Sequence, residues 1–142
     1  MRYRFMLLAA TPLIAFSFAQ SSFAIPAFSK VFTKEYVENN SDKKFAEEAG
    51  KAPNSCFICH QGKERKNRNA FGKEVGKLLD KKKDAKNEQK ISDSIKKALE
   101  MHVDPKDEKS ETYMDRVKAG KYPVGTLEEL KKDPPKDSAD KK

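Results

Sequence analysis

The sequence predicts an all-α fold that closes around something other than its own side chains. Three observations carry this expectation. Apolar residues recur at helical spacing, as in Phe28, Phe32 and Tyr36 or in Ile91, Ile95, Ala98 and Leu99, and no segment alternates with the two-residue period of a half-buried strand. The 142 residues are 37% hydrophobic and 37% charged, where a domain of this length is ordinarily nearer half apolar. The apolar residues are also unevenly placed, with 16 of 52 in the first 24 positions and 36 in the following 118. Such a remainder has room for one domain and too little apolar surface to offset chain entropy by itself. The composition argues against a two-domain enzyme or a transmembrane protein. It leaves a disordered basic chain or a small domain built round a large apolar group.

Residues 1–24 account for the skew. Arg2 and Arg4 precede an apolar run from Phe5 to Phe18, and Ser22-Phe23-Ala24 sets small residues at positions −3 and −1 of a cleavage site. This is the pattern of a secretory signal peptide, and the apolar run is shorter than the ~18 residues of a membrane span. The expected mature chain begins at Ile25, is periplasmic or otherwise exported, and has no stable membrane span. Loss of Arg2 and Arg4 takes the formal charge from +8 to +6. Export, and lysines spread through mixed runs without interleaved aromatics, argue against nucleic acid and for weak docking to an acidic protein partner.

The first mature helix is expected to begin near Phe28, with Phe28, Phe32 and Tyr36 on one face. A polar approach follows from Asn39 to Asn54, partly helical about Phe45, Ala46 and Ala49. Then comes Cys56-Phe57-Ile58-Cys59-His60, which holds both cysteines and one of the two histidines. Cys-x-x-Cys-His is the attachment signature of c-type haem. On one short helix, positions i, i+3 and i+4 share a face, so two thiols reach the vinyl edge of a porphyrin while the His60 imidazole reaches its iron. Pro53, Asn54 and Ser55 supply start chemistry for that helix and Gly62 its stop. Competing chemistries are a structural disulfide, a thiol oxidoreductase, or a zinc site completed by His102. A thiol oxidoreductase lacks its βαβ context here, and adjacent Cys59 and His60 suit a haem edge and face better than tetrahedral corners.

Beyond the motif, Phe71, Val75, Leu78 and Leu79 mark a second amphipathic helix, on which Gly72 and Gly76 imply close approach of something bulky, another helix or the porphyrin. Residues 81–89 form a charged continuation or linker. Ile91, Ile95, Ala98, Leu99 and His102 make a third stripe, stopped by Asp104-Pro105. A fourth helix is expected over Thr112 to Ala119, with Ser110 as its cap and Gly120 as its stop. The domain is taken to end at residue 130, with 131–142 a disordered charged tail.

With these residues in place the chain resembles the small monohaem cytochromes c of the bacterial periplasm. The likeness rests on Cys56, Cys59 and His60, on Arg68-Asn69-Ala70-Phe71-Gly72 and on Ala119-Gly120-Lys121-Tyr122-Pro123. Its layout is also similar to the NaxLS-type haem c subunits, which pair as heterodimers and use a cysteine as distal ligand. Here no third cysteine exists, so a distal cysteine is excluded. The resemblance implies a small cytochrome c-like helical domain wrapped round one covalent haem c, with Cys56 and Cys59 as thioethers and His60 as proximal iron ligand. For the distal position His102 leads, with Met114, Met101 and an open or water-filled site as alternatives. Arg65, Lys66 and Arg68 are candidates to pair with haem propionates. The expected function is periplasmic electron transfer, not enzymatic catalysis, with redox partner proteins and hetero- or homodimer formation as the implied associations. The alternatives are a gas-binding haem sensor and a haem subunit of a redox complex.

Overall fold

The computed structural model describes residues 26–63 and 67–135. The expected signal peptide and most of the expected tail lie outside these residues. Seven α-helices dominate the described residues: α1 (Pro26–Phe32), α2 (Lys43–Ala49), α3 (Ala70–Leu78), α4 (Lys81–Asp84), α5 (Glu88–Leu99), α6 (Tyr113–Lys118) and α7 (Leu127–Leu130). The all-α class is as expected. Among the described residues the only paired strands are two short ones, β1 (His60–Gln61) and β2 (Asn67–Arg68), antiparallel with His60 opposite Arg68 and Gln61 opposite Asn67. No helix among the described residues is long and apolar enough to cross a membrane.

The aromatic spacing of the first helix is realised across a change of winding, because α1 runs on into a π-helical stretch, Thr33–Val37, closed by Glu38 N–H donating to Thr33 O at 2.9 Å. Phe32 meets Tyr36 at 5.4 Å between ring centroids, and Phe71 of α3 edge-on at 5.9 Å. Phe71 in turn meets Tyr113 of α6 at 5.3 Å. Each such pair contributes about 0.5–1.5 kcal/mol beyond the area it buries. Around this row α1 and α3 pack on α5, whose Ile91, Ile95, Ala98 and Leu99 are all buried. Side chains thus close a core of their own despite the meagre composition. Few but large rings achieve this, and several core residues, Phe32, Phe71, Val75 and Ile95 among them, also line a cleft at its edge.

Caps explain most helix boundaries. Asp42, Asn69, Asp80, Asn87, Thr112 and Thr126 each accept a backbone N–H with the side chain at a helix start. Asp80 makes α4 a separate helix. The expected fourth helix is α6, and its cap is Thr112 rather than Ser110. Asp115 completes a capping box with Thr112, while the Ser110 hydroxyl is drawn to the backbone of Asp104. The predicted stop at Gly120 is present, with φ of 69°.

One boundary overturns the sequence reading. His102 is not on the α5 stripe, because the helix ends at Leu99 and the chain turns back, with Val103 N–H donating to Glu111 O at 2.9 Å and Tyr113 N–H to Met101 O at 3.1 Å. His102 then pairs with Thr112 in an isolated bridge. The last helix, α7, ends at residue 130, and the residues just after it keep contact with the domain. α7, signalled by the Thr126/Glu129 capping box, buries Leu130, and Asp133 beyond it accepts from Lys63 N–H at 3.1 Å. Residues 136–142 lie outside the described set.

Gly72 and Gly76 are required by close approach, as anticipated, but the neighbours are protein groups. A Cβ on Gly72 would overlap the Cys59 carbonyl group, and one on Gly76 would overlap the Arg68 guanidinium. The first obstacle is backbone and cannot swing aside. Gly72→Ala is therefore expected to destabilise the fold by about 1–3 kcal/mol, the usual range for overpacking, whereas Gly76→Ala costs less because Arg68 is flexible. Paired urea melts measure the difference.

Candidate functional site

Cys56, Cys59 and His60 do come together, although not on the single helix expected. Asn54–Ile58 is one 3-10 turn, Cys59 stands at its C-cap and His60 has entered β1. Pro53 at the N-cap offers no side-chain bond. At the other end the helical bonds are diverted. Asn69, only 3% exposed, donates its amide to Phe57 O at 3.1 Å and Ile58 O at 3.0 Å, and its backbone N–H to Cys59 O at 3.1 Å. Gly62 N–H, which a continuing helix would bond to Ile58 O, instead donates to Leu130 O at 2.8 Å. The motif turn is thus held between the start of α3 and the end of α7. Asn69 also accepts from Gly72 N–H at 2.8 Å, so one side chain caps α3 and clamps the motif to it. Asn69 lay within the run that carried the resemblance, yet only its Asn-before-helix pattern hinted at this role.

The turn forms one wall of an apolar cleft. Facing it are Phe28, Ser29 and Phe32 from α1, Phe71, Val75 and Leu79 from α3 and the residue after it, and Ile95 from α5. The cavity measures about 90 Å³, below the roughly 300–1,000 Å³ typical of cofactor and small-molecule sites, so seating a large group requires its walls to part. Arg68 is the one charged residue of the lining among the described residues. Arg65 and Lys66 lie outside them. His102, Met101 and Met114 do not line the cleft. His102 Nδ1 donates to Ser110 O at 2.6 Å, and both methionines pack against the core.

Burial pushes the Cys59 thiol up to about 12; the Arg68 guanidinium opposes this and Cys56 adds to it. A half-buried thiol this reluctant to ionise is a poor nucleophile for thiol–disulfide exchange, and the two cysteines are not bridged. Because the folded value lies above the unfolded one, the protonated thiol favours the fold at neutral pH, and this contribution is lost as pH rises from about 9 towards 12. In haem-free chain near pH ~8, iodoacetamide should label Cys59 about two to three orders of magnitude more slowly in the folded state than in urea. Peptide mapping by mass spectrometry reads the two rates.

Among the described residues no three His, Cys, Asp or Glu side chains gather to hold a metal ion, which removes the zinc alternative with His102 as fourth ligand. A haem asks less of the protein. It needs two thiols, one imidazole, an apolar slot and a cation for its carboxylates, and that donor set is what the cleft contains. A thioether is neutral and apolar, so the burial that penalises the Cys59 thiolate does not oppose it. Comparison with protein-family models, curated proteins and solved structures finds no match for this chain.

Proposed function

We propose that this chain is an exported protein carrying one haem c and serving single-electron transfer. The observation that carries the reading is the convergence of Cys56, Cys59 and His60 on an apolar cleft in which Arg68 is the one lining cation among the described residues. Cys56 and Cys59 would hold the group as thioethers and His60 would bind its iron. The haem supplies the ferric–ferrous couple when bound; the chain supplies ligation, burial and orientation. Arg68, opposite His60 across β1 and β2, would neutralise a propionate, and among the described residues no carboxylate lines the cleft. Export rests on residues 1–24, and an acidic partner on the basic charge of the remainder. The test is expression of the full chain with haem-maturation machinery. Haem absorbance that survives acid–acetone extraction, with reversible one-electron reduction in a spectroelectrochemical cell, is the expected result. A colourless protein overturns the reading.

A further inference from the structure

We propose that a second cleft, between α2 and the turn after α6, binds a small primary alkylammonium ion through the carboxylates of Asp42 and Glu48 and the hydroxyl of Tyr122. It shares no lining residue with the apolar cleft at the cysteine turn, and nothing in the proposal rests on the haem reading. The cleft measures about 280 Å³; Asp42, Lys44, Phe45 and Glu48 line one side of it, Gly120 and Tyr122 the other. Gly120 and Tyr122 belong to the 119–123 run, which the cysteine site leaves unused.

Three oxygen groups at this cleft have no partner among the described residues. Tyr122 is 4% exposed, and its hydroxyl is buried without a hydrogen bond, a costly state for a polar group. Burial, and after it the charge of Glu48 in the cleft lining, hold this hydroxyl protonated far above the usual phenol range, which sets it on the Glu48 side of its ring. The Glu48 carboxylate is half-buried and unpaired among the described residues. Asp42 spends Oδ1 on its cap, accepting from Phe45 N–H at 3.0 Å, and leaves Oδ2 against Gly120, where a Cβ would overlap it. The frame is fixed on both sides. Asn40, itself buried, accepts from Asp42 N–H at 2.9 Å and donates to Val117 O at 2.7 Å, tying the start of α2 to the end of α6. Arg116 Nε donates to Tyr122 O at 3.1 Å, and the Tyr122 ring meets Phe45 edge-on at 5.6 Å.

These groups set the class of ligand. A primary ammonium carries three N–H donors and no acceptor, one donor for each unused oxygen group, and two carboxylates answer its charge. Lys44 stands one turn before Glu48 on α2, is exposed, and does not pair with it among the described residues. One lysine against two carboxylates leaves the cleft negative on a chain of formal charge +8, so an anion is repelled. A divalent metal ion wants six or more oxygens, several of them from carboxylates, and among the described residues no third acidic side chain, histidine or cysteine joins Asp42 and Glu48 to hold one. A quaternary ammonium has the charge but no N–H to give to the Tyr122 hydroxyl. The volume lies just under the roughly 300 Å³ at which drug-sized sites begin, which suits an amine on a short apolar stem resting against Phe45.

The experiment titrates full-length, isotope-labelled protein with n-butylammonium chloride near neutral pH and follows the backbone amide resonances. Saturable shifts are expected at residues 42–48 and 119–122, with tetramethylammonium and calcium chlorides giving none. Glu48→Gln should weaken binding about tenfold or more and Tyr122→Phe roughly two- to tenfold, the factors for losing a charge-assisted and a neutral hydrogen bond. Lys44→Ala should bind at least as tightly as the parent. Tyr122→Phe should also melt no lower than the parent, because the hydroxyl it removes has no partner to lose. Absence of saturable shifts at these residues, an equal response to tetramethylammonium or calcium, or unchanged binding by either Glu48→Gln or Tyr122→Phe overturns the site. A clearly lower melting temperature for Tyr122→Phe means that the hydroxyl is already satisfied in the free protein, and overturns it as well. Each outcome reads the same whether or not the protein carries haem.

Discussion

Asn69→Leu is expected to cost about 3–5 kcal/mol, from two buried carbonyls left without a donor and one N–H left without an acceptor, at ~1–3 kcal/mol each. The side chain is nearly inaccessible and serves both sides of a junction. Its amide donates to Phe57 O and Ile58 O, and its carbonyl oxygen caps α3 through Gly72 N–H. Leucine fills similar volume and satisfies none of these groups. Against a total stability of about 5–15 kcal/mol for a domain, the loss should lower the melting temperature by roughly 12–40 °C at ~4–8 °C per kcal/mol. Asn69→Asp separates the two roles, because it keeps the acceptor for Gly72 and turns a second oxygen on the Phe57 and Ile58 carbonyls. If the donors matter as argued, aspartate is nearly as damaging as leucine near neutral pH. A melt like that of the unsubstituted chain would mean that the cap alone is needed. Thermal melts followed by circular dichroism decide between these.

How far such features are legible in the sequence depends on the range of the forces behind them. α1, α3 and α5 follow from local periodicity, since Phe28, Phe32, Phe71, Val75, Ile91 and Leu99 face inward for the same reason that they are spaced at one helical turn. The convergence of Cys56, Cys59 and His60 on one apolar cleft was legible from five consecutive residues. The helix expected to carry them was not. Its carbonyls are taken by Asn69 and the N–H of Gly62 by Leu130, partners several to many residues away that no local pattern reveals. His102 misled for a related cause. Its position continues the α5 stripe geometrically, yet the return pairing of Val103 with Glu111 ends the helix first. α7 could have been anticipated, because Thr126 and Glu129 stand in capping-box register.

Replacing both Cys56 and Cys59 by alanine is expected to abolish haem retention through acid–acetone extraction, and each single replacement to leave one thioether. The distinction is chemical. With both thiols gone, the cleft and His60 still offer an apolar slot and an imidazole, so any haem taken up is held by one coordination bond and by contact with residues such as Phe32 and Ile95. Acid protonates the imidazole and solvent removes the porphyrin. With one thioether the porphyrin stays on the chain, but one vinyl group remains conjugated and the alkaline pyridine haemochrome band shifts to longer wavelength. Alanine at position 59 tests a further point. Burial of the Cys59 thiol already disfavours its charged form, so removing it from the haem-free chain leaves no unpaired charge and opens only a small gap in the lining. Haem-free Cys59→Ala should therefore fold with a stability within about 1 kcal/mol of the parent, as expected when a small side chain is trimmed rather than a core residue deleted. Loss of covalent haem without loss of the fold would tie Cys59 to the cofactor. A haem-free variant that unfolds would instead mark Cys59 as a packing residue of the turn.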